Sequence, residues 1–418
     1  MEYGLIGGQL GHSYSRQIHE MVGGYSYELN PLPTEAEARA FLQQRNFKAI
    51  NVTIPYKRLV MEYCDELDPA ARAIGAVNTV VNRDGRLYGY NTDYAGFGWL
   101  ARRHDVRFTG KTVMILGTGG TSNTVAAVCR GAGARAVYKV SRSGRDGALT
   151  YERAACHPEV EILINTSPAG MYPDVGSCLV DLEDFPNLEA VLDVVYNPFR
   201  TELLLRARAR GIPAYCGFEM LVAQGVYAAE IFTQRSLDKN NWIRRIHRTL
   251  KRDLCNVSIV GMPGCGKSTV GESLARELGK TYVDLDEWVE RRAGMPIPDI
   301  FEREGEAAFR SYEAQAVAAV SKEHGQVIAC GGGVIKTPGN ARRLHQNGPV
   351  LWVRRPVQFL ATSGRPLSTG REALRRMEAE REPAYRAAAD AVVDNTASLQ
   401  EAVRAAAAAF EQTFDPEE

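Results

Sequence analysis

The sequence lacks several features that would assign it to particular classes of protein. Its 50 Lys and Arg are balanced by 50 Asp and Glu, so the net charge is zero and gives no overall attraction to nucleic acid or to an anionic membrane. No run approaches the roughly 20 apolar residues needed to span a bilayer. Residues 1–20 also lack a basic segment followed by an apolar one, so no signal peptide is predicted. We therefore expect a cytoplasmic protein without a nucleic-acid or membrane partner.

The eight cysteines are scattered, with no C-x-x-C pair and no spacing typical of zinc ligands. This pattern indicates free thiols in a reducing compartment and excludes a disulfide framework. The 418 residues, 45% of them hydrophobic, are enough for two or three domains that each have their own core.

Short apolar runs alternate with segments of helical periodicity, which indicates an α/β fold with mainly parallel sheets. The predicted strands cover residues 2–6, 49–53, 112–116, 136–140, 162–165, 190–194, 257–260, 327–329 and 350–353. Residues 235–252 hold seven Lys or Arg against one Asp. Within them Trp242, Ile243, Ile246 and Leu250 recur at helical spacing, so residues 240–253 are predicted to form an amphipathic basic helix. A domain boundary is predicted near residue 253.

A phosphate-binding loop follows this boundary. Residues 261–269 match G-x-x-x-x-G-K-[ST] between a predicted strand and a predicted helix. Glycines let successive backbone N–H groups face phosphates at a helix N-terminus. Lys267 would then reach the β- and γ-phosphates, and Ser268 would ligate Mg²⁺. The residues predicted to bind the nucleotide are Gly261, Gly264, Gly266, Lys267, Ser268 and Thr269.

Polar residues downstream indicate an acceptor site. Asp284 and Asp286 end an apolar run, and alternate residues of a strand share a face, so both carboxylates are predicted to enter one cleft. One would bind Mg²⁺ through water and the other would accept a proton from a substrate hydroxyl. Solvated surface carboxylates are the alternative. Three glycines, 331–333, follow the strand at 327–329. Such a triplet usually forms only a tight turn, but here it allows a ligand to approach the backbone closely.

These motifs resemble the shikimate kinase family, over residues 254–418. The resemblance implies ATP, Mg²⁺ and shikimate as ligands, with Asp284 near the metal and Asp286 at the substrate hydroxyls. It implies that Arg310 and Arg381 bind the substrate carboxylate, as a planar guanidinium does well, and that Gly331, Gly332 and Gly333 line the pocket. Arg365 resembles the lid arginine that closes on the ATP phosphates. The segment before it, 359–364, departs from the family in carrying few polar residues.

A second nucleotide motif lies earlier in the chain. The strand predicted at 112–116 runs into Gly117, Gly119, Gly120 and Thr121, which read G-x-G-G-T and differ from G-x-G-x-x-G. A dinucleotide site is favoured over an ordinary βα turn. After the next strand no carboxylate precedes Asp146, whereas Arg142 and Arg145 favour a 2′-phosphate and therefore NADP.

Four polar clusters precede this motif and predict a polar cleft, at residues 11–15, 51–57, 75–79 and 91–93. Lys57 and Asp93 are the natural acid–base pair, since an ammonium and a carboxylate can share a proton beside a reacting hydroxyl or carbonyl. Neutral hydrogen bonds to hydroxyls or a carboxylate would come from Ser13, Ser15, Thr53 and Asn78.

Residues 1–235 resemble the shikimate dehydrogenase family. The resemblance implies that Ser13 and Ser15 bind the substrate carboxylate, that Lys57 and Asp93 are catalytic, and that residues 165–171 and Gly217 border the nicotinamide. Further substrate contacts are implied for Thr53, Asn78, Tyr196 and Gln224. Ser141 stands where this family commonly has Asn.

The two resemblances predict an α/β protein of three domains and a linker. They are a substrate-binding domain (1–96 and 220–235), an inserted Rossmann NADP domain (97–219), a basic linker helix (236–253) and a P-loop kinase domain with a parallel sheet (254–418). The expected function is reduction of 3-dehydroshikimate by NADPH, followed by phosphorylation of shikimate by MgATP. A quinate-preferring dehydrogenase and a non-catalytic nucleotide sensor are the alternatives. The sequence does not determine the oligomeric state.

Overall fold

The computed structural model describes residues 1–11, 13–360 and 371–414. The chain divides into two compact units. The first contains Met1–Tyr196 and Thr201–Arg248, and the second contains Asn197–Arg200 and the described residues from Thr249 onward. Both units are α/β, as predicted. In the described part of the chain, no helix combines the length and apolar character needed to cross a membrane.

The first unit begins with a six-stranded sheet in the order β2-β1-β3-β5-β6-β4. Its strands are β1 (Tyr3–Gly7), β2 (Glu28–Pro31), β3 (Ala49–Val52), β4 (Glu66–Leu67), β5 (Thr79–Arg83) and β6 (Arg86–Tyr90). Four helices accompany them: α1 (Ser15–Gly23), α2 (Glu35–Gln44), α3 (Pro69–Ile74) and α4 (Thr92–Arg103). Mainly parallel pairing is confirmed, but β5 runs antiparallel to both β3 and β6. The β5–β6 pair is antiparallel because Asp84 and Gly85, which join the two strands, both have positive φ, as a two-residue hairpin turn requires.

The second sheet of this unit is parallel, in the order β11-β10-β9-β7-β8. Its strands are β7 (Thr112–Leu116), β8 (Ala136–Val140), β9 (Ile162–Asn165), β10 (Ala190–Asp193) and β11 (Ala214–Cys216). The intervening helices are α5 (Gly120–Gly131), α6 (Tyr151–Ala154) and α7 (Glu202–Ala209). In parallel α/β sheets ligands bind beyond the carboxyl ends of the strands, so the glycine-rich turn after β7 lies at the expected edge.

Helix α8 (Phe218–Thr233) returns the chain to the first sheet, as predicted, and packs on α1 and α4. Gly96 of α4 makes this approach possible, because a Cβ there would stand 2.8 Å from the Met220 carbonyl oxygen. Helix α9 (Lys239–Leu254) confirms the predicted amphipathic helix: Ile243, Ile246 and Leu250 are buried.

The sheet of the second unit is parallel, in the order β13-β14-β12-β15-β16. Its strands are β12 (Val257–Val260), β13 (Thr281–Asp284), β14 (Gln326–Ala329), β15 (Val350–Arg354) and β16 (Ala391–Asp394). The helices are α10 (Lys267–Leu278), α11 (Leu285–Ala293), α12 (Ile297–Arg303), α13 (Gly305–Val320), α14 (Asn340–Gln346), α15 (Arg371–Ala388) and α16 (Leu399–Thr413).

One detail of the sequence prediction is wrong. Asp284 and Asp286 are not alternate residues of one strand, because β13 ends at Asp284 and α11 begins at the next residue. The Asp284 side chain caps that helix by accepting a hydrogen bond from the Asp286 backbone N–H at 2.9 Å. Aspartate is a favoured N-cap residue, and its capping preference ends the strand here.

All eight cysteines carry free thiols, as expected, and Cys129, Cys255, Cys265 and Cys330 are buried.

Candidate active sites

A cleft of about 580 Å³ opens in the first unit and collects most of the residues predicted for the dehydrogenase site. The substrate-binding and catalytic candidates along its walls are Ser13, Ser15, Thr53, Lys57, Asn78, Asp93, Tyr196 and Gln224. Thr121 and Gly217, which were predicted to contact the cofactor, line the same cleft. The structure therefore brings the predicted substrate and nicotinamide contacts together.

Lys57 and Asp93 form an ion pair in the wall of this cleft. Lys57 follows β3 by a short turn, and Asp93 lies in the first turn of α4, whose N-terminus is capped by Asn91. The Lys57 Nζ lies 2.6 Å from the Asp93 Oδ2, and the two side chains are 24% and 14% exposed. A partly buried ammonium that stays accessible from a cleft can give a proton to an oxygen of a bound ligand, with the carboxylate fixing its position.

Asn78 is oriented by the residues around it. The Thr92 backbone N–H donates to Asn78 Oδ1 at 2.7 Å, and the hydroxyls of Thr79 and Thr92 donate to the same oxygen at 3.1 and 3.2 Å. Because three donors converge on Oδ1, the Nδ2 group is the end of this amide that can donate to a ligand.

The cleft also contains residues that the sequence reasoning did not assign, among them Tyr14 and Asn51. Burial and the neighbouring Tyr196 raise the pKa of Tyr14 to about 12, so its hydroxyl keeps its proton at neutral pH. Asn51 accepts a hydrogen bond from the Tyr27 hydroxyl at 2.7 Å and donates to Thr79 Oγ1 at 3.0 Å. Both stand inside polar clusters noted in the sequence, but only the fold shows which cluster members face the cleft.

The glycine-rich turn after β7 fits a dinucleotide. Gly117 has a φ of 115°, and a Cβ there would lie 2.8 Å from Thr166 Oγ1. Gly119 forms the N-cap of α5 without a side-chain hydrogen bond, and neither Gly119 nor Gly120 has an atom within 4 Å of a Cβ position. The helix N-terminus is therefore open to a pyrophosphate. Arg142 and Arg145 are exposed in the turn after β8, where a 2′-phosphate would bind.

The phosphate loop of the second unit joins β12 to α10, as predicted. Gly261, Gly264 and Gly266 all have positive φ, and a Cβ on Gly261 would lie 2.3 Å from the Val353 carbonyl oxygen. The Lys267 ammonium lies across the loop and donates to the carbonyl oxygens of Gly261 and Met262, both at 2.9 Å. Lys267, Ser268 and Thr269 form the first turn of the helix.

Ser268 and Asp284 form a two-oxygen set beside this loop. The Ser268 hydroxyl lies 3.1 Å from Asp284 Oδ2, and the Tyr282 hydroxyl is at the same distance. Among the described residues, no cluster of three or more His, Cys, Asp or Glu side chains could hold a metal ion. Mg²⁺ is commonly held by one or two protein oxygens with water and substrate phosphates completing its shell, so the Ser268–Asp284 pair fits this ion.

The predicted acceptor residues of the second unit converge around the three glycines that follow β14. A Cβ on Gly331 would lie 2.7 Å from Asp286 Oδ1, and one on Gly333 would lie 2.4 Å from an Arg310 guanidinium nitrogen. Arg381, which is buried in α15, donates to the Gly332 carbonyl oxygen at 2.9 Å. A side chain at Gly331 or Gly333 would displace these charged groups, and one at Gly332 would meet Pro263, so packing limits all three positions.

Glu313 belongs to this pocket and was missed from the sequence. It lies one turn after Arg310 on α13, is 1% exposed, and accepts a hydrogen bond from Arg310 at 2.9 Å. Burial raises the pKa of Glu313, and Arg310 opposes that rise. Its Oε1 has no hydrogen-bond partner in the described structure. An i, i+3 Arg–Glu pair was the available clue, although such pairs are common on solvated helices. Arg365, the predicted lid residue, lies outside the described residues.

These sites define an enzyme with two nucleotide-binding sites. It is a dehydrogenase with a Rossmann-type dinucleotide site, joined to a P-loop phosphotransferase. Residues 5–80 match the family model for the shikimate dehydrogenase substrate binding domain, and residues 263–411 match that for shikimate kinase. A shikimate dehydrogenase (NADP(+)) of Clostridium perfringens is 37% identical over 256 residues, covering 57% of this chain and 94% of that protein. One from Bacillus cereus is 34% identical over 257 residues, covering 56% and 93%.

Solved structures agree with the matches to shikimate dehydrogenases. A chorismate mutase/shikimate 5-dehydrogenase fusion protein from Clostridium acetobutylicum has a TM-score of 0.56 at 32% identity, covering 60% of this chain and 96% of that one. Shikimate 5-dehydrogenase from Thermus thermophilus, in complex with NADP(H) and shikimate, has a TM-score of 0.54 at 28% identity, covering 59% and 99%. The chain belongs to the shikimate dehydrogenase family and continues into a shikimate kinase domain, a bifunctional fusion of the shikimate pathway.

Proposed function

We propose that the chain catalyses two successive steps on one intermediate. Its first unit reduces 3-dehydroshikimate to shikimate with NADPH, and its second unit phosphorylates the 3-hydroxyl of shikimate with MgATP. The observation that carries the first assignment is the 2.6 Å Lys57–Asp93 pair in a cleft that Thr121 and Gly217 also line. The second assignment is supported by the convergence of Asp286, Arg310 and Arg381 on the glycine triplet.

In the reduction, NADPH supplies the hydride that adds to the ring carbonyl carbon. Lys57 gives its proton to the carbonyl oxygen as negative charge develops there, and Asp93 holds the ammonium in place. The hydroxyls of Ser13 and Ser15 donate hydrogen bonds to the substrate carboxylate, while Thr53, Asn78, Tyr196 and Gln224 hold the ring hydroxyls. Arg142 and Arg145 bind the 2′-phosphate, and Gly117, Gly119 and Gly120 make room for the pyrophosphate.

In the phosphorylation, MgATP supplies the phosphoryl group, and the protein positions the reactants and neutralises charge. Arg310 and Arg381 bind the shikimate carboxylate, and Asp286 accepts the proton of the attacking hydroxyl. Lys267 and the N-terminal N–H groups of α10 hold the phosphates, and Ser268 and Asp284 would hold Mg²⁺. The lid role of Arg365 stays a prediction.

Both activities are tested on the purified full chain. Oxidation of NADPH in the presence of 3-dehydroshikimate, and formation of ADP and shikimate 3-phosphate from shikimate and ATP, are the expected results. Oxidation of shikimate and of quinate, each with NADP and with NAD, is compared in parallel. Quinate oxidation with NAD that equals or exceeds shikimate oxidation with NADP would support the quinate-preferring alternative. Ligand binding without any turnover would instead support a nucleotide sensor.

A further inference from the structure

Asp193 is a buried carboxylate that the catalytic scheme does not use. It ends β10 and is fully buried, and it does not line the cleft. Its Oδ1 accepts hydrogen bonds from Asn165 Nδ2 at 2.9 Å and from the Val195 N–H at 3.0 Å, and its Oδ2 accepts one from the Thr201 hydroxyl at 2.6 Å. Burial raises the pKa of this carboxyl to about 7, opposed by these three hydrogen bonds. A buried carboxylate is costly unless hydrogen bonds hold it.

The Asn165 bond connects Asp193 to the segment that borders the proposed nicotinamide site. Asn165 Oδ1 accepts hydrogen bonds from the Ser167 N–H at 3.0 Å and the Ser167 hydroxyl at 2.7 Å, and its Nδ2 donates to the Ala169 carbonyl oxygen at 3.2 Å. One amide therefore fixes the path of residues 165–169, and Asp193 fixes that amide.

The Val195 bond connects Asp193 to a wall of the cleft. Val194 and Tyr196, on either side of Val195, both line the cleft. The Val194 carbonyl oxygen would lie 2.3 Å from a Cβ on Gly217, so a shift of this segment would change the cofactor-side wall as well. The Thr201 bond completes the arrangement, because Thr201 caps α7 and lies 3.2 Å from a Cβ position on Gly170.

We propose that Asp193 is a positioning residue for hydride transfer, which holds residues 165–170 and the Val194–Tyr196 segment in a fixed relation to each other beside the nicotinamide. This inference rests on the proposed dehydrogenase activity. A displacement of reacting groups by about 1 Å can lower the rate about 100-fold. Asp193 therefore affects the reaction through the position of these segments and does not contact a reactant.

The test compares Asp193→Ala and Asp193→Asn in the full chain. We expect Asp193→Ala to lower the kcat of dehydroshikimate reduction about 100-fold. The KM for 3-dehydroshikimate, and the Kd of 2′,5′-ADP, which carries only the adenosine half of the cofactor, should stay within about threefold. Asp193→Asn keeps an acceptor for Asn165 and Val195 and should recover kcat to within about tenfold of wild type. With NADPH deuterated at the transferred position, the isotope effect on kcat should rise in the alanine variant.

Controls separate positioning from folding. The kinase activity of the same chain reports an intact second unit, and 2′,5′-ADP binding reports an intact first unit. If Asp193→Ala does not fold, Thr201→Val tests the inference instead. It removes one hydrogen bond to Asp193 and should lower kcat. Thr34→Val is the control, because it removes an N-cap hydroxyl at α2 and should leave kcat unchanged. Full kcat in the alanine variant would overturn the inference. If that variant does not fold, a Thr201→Val chain with the same kcat as Thr34→Val would overturn it. Inactive wild type would refute the proposed dehydrogenase instead.

Discussion

At the scale of single residues, Arg310 has two acidic partners that differ in burial. Glu313 is 1% exposed and Glu306 is 54% exposed, and both lie within 3.0 Å of the guanidinium. Exposed ion pairs contribute little, whereas loss of one partner from a buried pair is costly. The orientation of Arg310 toward the glycine triplet therefore depends on Glu313.

We predict that Glu313→Gln raises the KM for shikimate about tenfold and leaves the KM for ATP nearly unchanged. The reason is that Arg310 loses the charge that aims it at the substrate carboxylate. Glu306→Gln is the matched control and should change neither constant appreciably. Steady-state kinase assays with each substrate varied make the measurement. Equal effects of the two substitutions would show that Glu313 does not orient Arg310.

His19 gives a prediction about acid stability. It is fully buried between Tyr25, whose hydroxyl lies 2.7 Å from Nδ1, and the stacked ring of Tyr27, and burial lowers its pKa from 6.5 to about 3. The folded state thus leaves His19 neutral while the unfolded state protonates it below pH 6.5. The stability contributed by His19 is present above pH 6.5 and is lost as the pH falls toward 3.

We therefore compare the free energy of unfolding of wild type with that of His19→Gln. The amount by which the wild-type value exceeds the variant value should be about 2 kcal/mol smaller at pH 5.0 than at pH 7.5. Urea unfolding measures it in a Trp288→Phe/Trp352→Phe background, in which the fluorescence of Trp99 and Trp242 reports the first unit. A difference that is the same at both pH values would contradict the lowered pKa.

At the scale of elements, the glycines at Gly261, in the phosphate loop before α10, and at Gly279, after α10, are required for different reasons. A Cβ on Gly261 would lie 2.3 Å from the Val353 carbonyl oxygen, a backbone atom of β15 that cannot move aside. Gly279, at the C-terminal end of α10, has a φ of 67° and no neighbour within 4 Å of a Cβ position. The first position is limited by packing as well as by its φ of 148°, and the second by backbone conformation alone.

Gly261→Ala should therefore lower kinase kcat at least about 100-fold, because the loop must shift relative to its phosphate ligand. Gly279→Ala should cost about 1 to 2 kcal/mol of stability and keep its activity. Kinase assays and thermal unfolding of both variants provide the comparison. A fully active Gly261→Ala chain would mean that the loop tolerates the shift.

The strands and loops also show how much of the fold could be predicted from the sequence. Buried parallel strands such as β7 and β12 read as continuous apolar runs, and each precedes a glycine-rich loop, so both the strands and the nucleotide sites were predictable. The hairpin of β5 and β6 was missed, because its strands carry Arg83 and Arg86 beside the turn and lack a long apolar run. The end of β13 was misplaced, because a D-x-D pattern does not reveal that Asp284 caps a helix.

The site was predictable where chemistry and local pattern coincide, as at Lys57, Asp93 and Lys267. Glu313 and Asp193 lack such a pattern. Their importance lies in burial and in partners that are distant in sequence or on another element, such as Asn165 for Asp193. These contacts form only when the chain folds, so composition and spacing cannot reveal them.

At the scale of the whole molecule, the residues proposed for the two reactions belong to different compact units. Lys57, Asp93 and the cleft they line belong to the first unit, while Lys267, Asp286 and Glu313 belong to the second. No residue assigned to one reaction has been assigned to the other. Substitutions that share no partners act independently, so each activity should be removable alone.

Lys57→Ala should reduce dehydroshikimate reduction by about 100-fold to 10,000-fold, the range for loss of a general acid. Lys267→Ala should lower phosphorylation at least about 100-fold, since it removes a charge that stabilises the transferred group. Two separate assays show each effect: NADPH oxidation with 3-dehydroshikimate, and ADP formation with added shikimate. The kinase activity of Lys57→Ala and the dehydrogenase activity of Lys267→Ala should both stay near the wild-type level. An equimolar mixture of the two variants should again convert 3-dehydroshikimate to shikimate 3-phosphate, because released shikimate is a substrate for the intact kinase of the other chain. Loss of both activities in either single variant would show instead that the two units are coupled.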